Sequence, residues 1–341
     1  MSLVQEMRKT VAKLTAPDKG ILAADESNTT IERRFDAIGV SSTGQTRRDY
    51  RELLFSTPGL AEFISGVIMF DETFKQVSTS GIAMPALLSL NGILSGIKVD
   101  IGTIPLPAFA GEKLTQGLDG LKQRLADYRQ RGARFAKWRA VIAIGANIPT
   151  PQTIAINAQA LAQYAALCQE VGLVPIIEPE VLMDGDHTLE VCARVTEETL
   201  HTVFHKLHDQ RVALECMILK PNMVVAGATN FEQAMPEQVA QATLACLRRT
   251  VPPAVPGIYF LSGGQNEVSA TVNLNAINAS PQSQCWVLSF SYGRALQTTA
   301  LNAWRGKAAN TMIAQHALYR RARLNSAARA GRYHAVMEHE S

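Results

Sequence analysis

The feature that most constrains this chain is a rhythm: short runs of β-branched and apolar residues alternate with longer segments of helical periodicity. Eight such runs occur, at Gly20–Glu26, Phe63–Glu72, Gly96–Asp100, Phe135–Ile144, Leu173–Glu180, Glu215–Val224, Gly257–Gln265 and Trp286–Arg294. Strands separated by helices pair in parallel, because each helix carries the chain back before the next strand begins. Eight βα units can close into a (β/α)8 barrel, for which roughly 250 residues is typical. We expect one α/β TIM-barrel domain over residues 1–341, the barrel itself spanning about 20–305. An open doubly wound sheet is the rival, but the first strand–helix turn lacks the GxGxxG of a dinucleotide fold.

The intervening helices show their buried faces. Ile154, Ala158, Leu161, Ala165 and Cys168 recur at spacings of four and three before Gly172. Leu121, Leu125 and Tyr128 repeat the pattern before Gly132, and Val239, Thr243 and Leu247 follow Pro236, a residue suited to a first helical turn. Leu3, Met7, Val11 and Leu14, with charges between them, predict an amphipathic helix over about 2–15, unlike the continuous apolar block of a signal peptide. Two helical stretches follow the eighth run, and the second leads a C-terminal helix and short tail over about 307–341.

Composition narrows the partners. With 47% hydrophobic residues the chain can bury a sizeable core. Its 33 lysines and arginines against 30 acidic residues make too mild an excess for a nucleic-acid or membrane partner. No stretch nears the roughly 18 apolar residues of a membrane helix. The cysteines, Cys168, Cys192, Cys216, Cys246 and Cys285, are odd in number and form no CxxC pair. They read as reduced thiols in apolar surroundings, hence a cytoplasmic protein.

In a barrel of this kind the chemistry sits at the C-terminal ends of the strands. Those ends carry Asp25-Glu26-Ser27, Asp71-Glu72, Lys98 with Asp100, Lys137 with Arg139, Glu178-Pro179-Glu180, Lys220, Ser262-Gly263-Gly264 and Ser291-Tyr292-Gly293-Arg294. Every strand delivers ionisable groups or a small-residue turn to one face. Lys220 follows the apolar Met217-Ile218-Leu219. Burial lowers the pKa of a lysine and a second ammonium, which Lys137 would supply, lowers it further; that makes an amine nucleophilic near neutrality. Taken alone, a strand-end lysine more commonly reaches out to solvent.

Glu178 and Glu180 lie two apart on a strand and so share a face, where two carboxylates push one another's pKa upward and adjacent lysines push back down. Such a pair suits acid–base work, or a salt-bridge network. Asp25 reads equally as a functional carboxylate or as the N-cap of the next helix. Ser262-Gly263-Gly264 and Gly293-Arg294 follow the seventh and eighth strands, where barrels of this type bind phosphate; a lone SGG is more often a tight turn. His201, His205 and His208, near Asp184, Asp186 and His187, have spacings that zinc tolerates, but they fall on a connecting helix, where a solvated face is the plainer account.

The runs GILAADES (20–27), GIKVD (96–100), TQGLDGL (115–121), FAKWR (135–139), VPIIEPE (174–180), DGDH (184–187), LKPNMV (219–224), LRRTVPPAV (247–255), FLSGGQ (260–265), NLNAIN (273–278) and SFSYGRALQ (289–297) resemble class I fructose-bisphosphate aldolases. The likeness runs in order from about residue 8 to about residue 333. It implies a metal-independent enzyme, with no cofactor, that cleaves fructose 1,6-bisphosphate reversibly through a lysine Schiff base.

Residue by residue, the resemblance makes Lys220 the Schiff-base lysine and Glu178, supported by Glu180, the acid/base that dehydrates the carbinolamine. Asp25 would accept the hydroxyl proton whose loss breaks the carbon–carbon bond, with Lys137 stabilising charge beside it. Ser262, Gly263, Ser291, Gly293 and Arg294 would hold the phosphate next to the ketone, and Ser27, Arg34, Lys98 and Arg139 would face the other. Phosphorylated sugars are the expected partners, and a homotetramer the expected assembly.

A Schiff-base aldolase for tagatose bisphosphate or fructose 1-phosphate is the alternative activity. A non-catalytic scaffold on the same fold is the alternative class, opposed by the intact Lys220, Asp25, Lys137 and Glu178. The sequence departs from the family at Asn28-Thr29-Thr30, where Thr-Gly-Ser is frequent, and in a shorter segment after Met223. It also lacks the terminal tyrosine that assists proton transfer in animal relatives, which leaves the group for that step open.

Overall fold

A computed structural model of the chain describes residues 2–340. Eight parallel strands close into a barrel: β1 (Gly20–Ala24), β2 (Ile64–Met69), β3 (Leu94–Lys98), β6 (Phe135–Ile142), β7 (Val174–Val181), β8 (Ile218–Leu219), β9 (Gly257–Phe260) and β10 (Val287–Tyr292). Strands β4 (Thr103–Pro105) and β5 (Lys113–Thr115) form a separate antiparallel hairpin that follows β3. Each of the eight expected runs contributes one barrel strand.

Twelve α-helices occur among the described residues. They are α1 (Leu3–Leu14), α2 (Asn28–Asp36), α3 (Gly44–Phe55), α4 (Asp71–Lys75), α5 (Met84–Leu90), α6 (Leu121–Gln130), α7 (Pro151–Glu170), α8 (Leu189–Asp209), α9 (Pro236–Thr250), α10 (Glu267–Asn278), α11 (Arg294–Trp304) and α12 (Thr311–Arg329). The apolar faces read from the sequence turn inward. On α7, for example, Ile154, Ala158, Leu161, Ala165 and Cys168 are all buried, and Trp138 of β6 packs over Tyr164 at 5.6 Å.

The two-residue period of the strands divides the barrel into layers. Ile21, Phe135, Ile176 and Ile218 point inward near the N-terminal end, in one apolar cluster with Met7, Val11 and Leu14. Helix α1 therefore plugs that mouth, tied by Tyr259 Oη and Ser65 Oγ, which both donate to Leu14 O. Gly66 and Gly96 make room for the Phe135 ring; a Cβ at Gly96 would lie 2.1 Å from it. Two residues further along each strand the inward positions become polar: Ala23 gives way to Asp25, Phe135 to Lys137 and Arg139, Ile176 to Glu178 and Glu180, and Ile218 to Lys220. A dry floor thus underlies a charged upper layer, and burial of the floor fixes the height at which the charges stand.

Candidate active site

The charged layer opens into a cavity of about 1170 Å³ at the C-terminal end of the barrel. All fourteen residues singled out from the sequence line it: Lys220, Glu178, Asp25, Lys137, Glu180, Ser262, Gly263, Ser291, Gly293, Arg294, Ser27, Arg34, Lys98 and Arg139. Of the other strand-end residues, Glu72 turns away to pair with Arg47 at 2.7 Å. Tyr292 is fully buried, its hydroxyl donating to Ala270 O.

Four charges form the floor of the cavity. The Glu178 carboxylate takes Lys220 Nζ on Oε1 at 2.8 Å and Lys137 Nζ on Oε2 at 2.9 Å, and Lys137 Nζ reaches Asp25 Oδ2 at 2.9 Å. Lys137, Glu178 and Lys220 are 3–4% exposed. Two lysines and two carboxylates neutralise one another, which is what permits their burial. Burial alone would push the Asp25 carboxyl up, but Lys137 and Lys220 outweigh it and hold Asp25 well below the usual carboxylate range. Glu178 is lowered in the same way, burial being overcome by the same two ammonium groups. Lys137 is raised above an ordinary lysine, because Asp25, Glu178 and Asp100 outweigh its burial.

One expectation is corrected by this geometry. Lys137 was expected to act on Lys220 as a bare second positive charge; instead Glu178 bridges the two. Glu178 and Glu180 were expected to raise each other with adjacent lysines pushing back down, and each carboxylate has its own cation. Glu178 sits between the lysines, and Glu180 pairs with the Arg139 guanidinium. The ambiguity over Asp25 is resolved as well. The N-cap of α2 is Ser27, whose Oγ accepts from Thr30 N at 3.3 Å, so Asp25 is free to face the cavity.

At one side of the floor lie the turns after β9 and β10. Gly263 and Gly264 have φ of +36° and +84°, a left-handed conformation that side chains disfavour. Gln265 N donates to Ser262 O at 2.9 Å and closes that turn. Ser291 Oγ is buried and has no hydrogen-bond partner among the described residues. Arg294 is exposed and opens α11, where unpaired amides make the field positive. These groups form a cradle for an anion.

At the other side, three cations are already placed by carboxylates. Lys98 Nζ pairs with Asp100 Oδ1 at 2.6 Å, Arg139 with Glu180, and Arg34 with Glu26. Glu26 also takes Arg51, which is 2% exposed, and Gln297 Nε2 at 2.9 Å. Arg33, Arg124 and Tyr128 extend this wall, and sequence reasoning missed them. The signal existed for Arg33, which neighbours Arg34. Arg124 and Tyr128 lie on α6, away from the strand ends at which the site was sought.

The histidine group does not converge. His201, His205 and His208 are exposed on α8, whereas His187 is buried. Among the described residues no three His, Cys, Asp or Glu side chains are grouped to hold a metal ion. Four of the five free cysteines are buried as expected; Cys285 is exposed, on the short loop before β10.

The chain matches the family model for fructose-bisphosphate aldolase class-I over residues 6–341. It is 51% identical over 330 residues to the muscle-type fructose-bisphosphate aldolase of Lethenteron camtschaticum, covering 96% of this chain and 91% of that one. Identity to the fructose-bisphosphate aldolase of Drosophila melanogaster is 52% over 332 residues, with 97% and 92% covered. The probable class 1 enzyme of Xanthomonas campestris pv. campestris is 49% identical over 331 residues, with 97% and 99% covered. Among solved structures, the Plasmodium falciparum fructose-bisphosphate aldolase, crystallised with TRAP and a small-molecule inhibitor, superposes with a TM-score of 0.96. It is 49% identical and covers 98% of this chain and 96% of its own.

Proposed function

The chain belongs to the class I fructose-bisphosphate aldolase family, and from that premise we propose that it cleaves fructose 1,6-bisphosphate reversibly to dihydroxyacetone phosphate and glyceraldehyde 3-phosphate through an imine on Lys220. The observation that carries this reading is the placement of one carboxylate, Glu178, within 2.8–2.9 Å of two buried lysines, with Asp25 across from it.

The chemistry follows from those contacts. Lys220 must lose a proton before its amine attacks the ketone, and Glu178 Oε1 is placed to take it. The attack gives a carbinolamine; the protonated Glu178 returns the proton to its hydroxyl, water leaves, and a cationic imine remains. Asp25, kept ionised by Lys137, accepts the proton of the hydroxyl on the carbon two bonds from the imine carbon. The bond from that carbon to the carbon next to the imine breaks, its electron pair forms the double bond of an eneamine as the imine pair moves onto nitrogen, and the aldehyde departs. Lys137 stays charged throughout and steadies the developing oxyanion. Protonation of the eneamine carbon and addition of water then release dihydroxyacetone phosphate and restore the amine.

The cradle at Ser262, Gly263, Ser291, Gly293 and Arg294 would take the phosphate beside the ketone. Ser27, Arg34, Lys98 and Arg139 would face the distal one, and an anion at each end would seat the ketone over Lys220. The reading extends to a homotetramer in the cytoplasm, supported by family membership and by four buried free thiols. Among the described residues, no helix is long and apolar enough to cross a membrane.

The test is a coupled assay of purified protein on fructose 1,6-bisphosphate, tagatose 1,6-bisphosphate and fructose 1-phosphate, with and without EDTA. Cleavage of the first at the highest kcat/KM, unchanged by EDTA, is expected. Preference for another sugar, or loss of activity in EDTA restored by a divalent metal, contradicts the reading.

A further inference from the structure

The Glu178–Lys220 pair sits where two neighbouring strands lose their backbone ladder. In a parallel pair, the N–H and C=O of alternate residues point to the same neighbour. Lys220 N donates to Ile177 O at 2.8 Å, so Ile177, Pro179 and Val181 of β7 point toward the β8 segment. Pro179 has no N–H to give to Lys220 O, which would be the next rung of the ladder. Beyond the bond from Lys220 N to Ile177 O, no backbone bond among the described residues holds the strand bearing Glu178 against the segment bearing Lys220.

The gap is closed by a side chain. Val181 N donates to Asn222 Oδ1 at 3.1 Å, so an amide oxygen stands in for the missing ladder carbonyl. The amide nitrogen of Asn222 donates to Thr196 Oγ1 on α8 and to Met223 O, both at 3.1 Å. Asn222 is 6% exposed. Only an amide fits: aspartate would set an acceptor against Met223 O, and an apolar residue would leave the buried Val181 N–H unpaired.

We propose that Asn222 is a positioning residue for the Schiff-base chemistry, whose side chain sets the approach of Lys220 Nζ to Glu178 by replacing the absent backbone ladder. The inference rests on Lys220 being the imine-forming residue. It goes beyond that reading, because Asn222 lies outside the lining of the cavity and acts only through β7 and the β8 segment. Leu261 N still donates to Pro221 O at 3.0 Å, so the side toward β9 remains tethered when Asn222 is altered. The expected consequence is misplacement of the amine with the phosphate-facing groups on β1, β9 and β10 left in place.

The experiment compares wild type, Asn222→Ala and Thr196→Val in two measurements. One is the rate at which borohydride with dihydroxyacetone phosphate traps the imine; the other is the affinity for hexitol 1,6-bisphosphate, which has no carbonyl. Misplacement on the scale of an ångström costs about 10²-fold in rate, so Asn222→Ala should lose trapping rate and kcat by about that factor with hexitol affinity unchanged. Thr196→Val removes one of the two oxygen acceptors of the amide nitrogen and should lose trapping rate by up to roughly tenfold. It also keeps the proposal testable if Asn222→Ala does not fold. Trapping at the wild-type rate in a folded variant, or loss of hexitol affinity in step with trapping, overturns the proposal. Wild-type protein that is never trapped overturns the parent reading instead, and that result needs no variant.

Discussion

Lys137→Met tests whether the buried charges work as one mutually neutralising cluster. In the native chain the Lys137 side chain is 3% exposed and ion-paired at 2.9 Å to both Asp25 and Glu178. Methionine fills a similar volume but leaves two buried carboxylates with Lys220 as the one remaining ammonium on the cavity floor. Removing one partner of a buried pair costs about 3–5 kcal/mol. With an unfolding entropy of roughly 2.1 cal/mol/K per residue, a chain of 341 residues should then lose about 4–7 °C in Tm.

The loss should also depend on pH in a defined direction. Asp25 and Glu178 have depressed pKa values when folded, so their stabilisation is present above the unfolded value of about 4 and is lost as pH falls below it. Without Lys137 those values rise, and the variant takes up protons at a higher pH than the native fold does. Lys137 itself, raised when folded, contributes fully at every pH below about 10.4 and adds no slope in this range. The gap in Tm between the two proteins should therefore be widest near neutrality and narrow as the pH approaches about 4. Thermal melts followed by circular dichroism across that range measure it. A gap worth less than about 1 kcal/mol, as for an exposed pair, or one constant with pH, refutes the reasoning.

Arg294→Ala should reduce kcat/KM for the bisphosphate by about 10- to 150-fold, the loss of one charge-assisted anion contact; equal losses on a substrate lacking the phosphate beside the ketone would make Arg294 structural. Gly263→Ala forces a side chain into φ +36° with its Cβ 2.6 Å from Leu261, so about 1–2 kcal/mol of strain should appear as a lower Tm together with a raised KM. An unchanged KM would remove that turn from the phosphate cradle. Light scattering should give four times the 37.0 kDa chain mass, and a monomeric mass at micromolar concentration would contradict the tetramer.

The barrel was legible because burial of a closed sheet writes its period into the sequence, and the inward positions switch from apolar to charged at the same height on several strands. The run Glu215–Val224 shows where that signal fails. Only Ile218–Leu219 hold ladder geometry there, because Pro179 has no N–H to carry the ladder with β7 further and Asn222 completes it through a side chain. Asp71 and Glu72, expected at a strand end, begin α4 instead. The hairpin strands β4 and β5 span three residues each, too few for a two-residue alternation to stand out.

Within the site, residue types were readable but their partners were not. A sequence presents Lys137, Lys220, Glu178 and Asp25 as four charges. It does not state that one carboxylate takes both lysines, and that pairing decides which of the opposing influences on the Glu178 pKa wins. Arg51 and Gln297 were invisible for a related reason. They lie on α3 and α11, distant from Glu26 in sequence, and meet its carboxylate only once the barrel has closed.

The central claim is a covalent bond between substrate and one lysine. Borohydride reduction in the presence of dihydroxyacetone phosphate, followed by peptide mass mapping, tests it most directly. The account predicts a single modification, on the peptide containing Lys220, with loss of activity in proportion to labelling. Lys220→Met should remain folded and take no label. Labelling of Lys137 or of any other lysine in its place, or full turnover by Lys220→Met, would contradict the assignment.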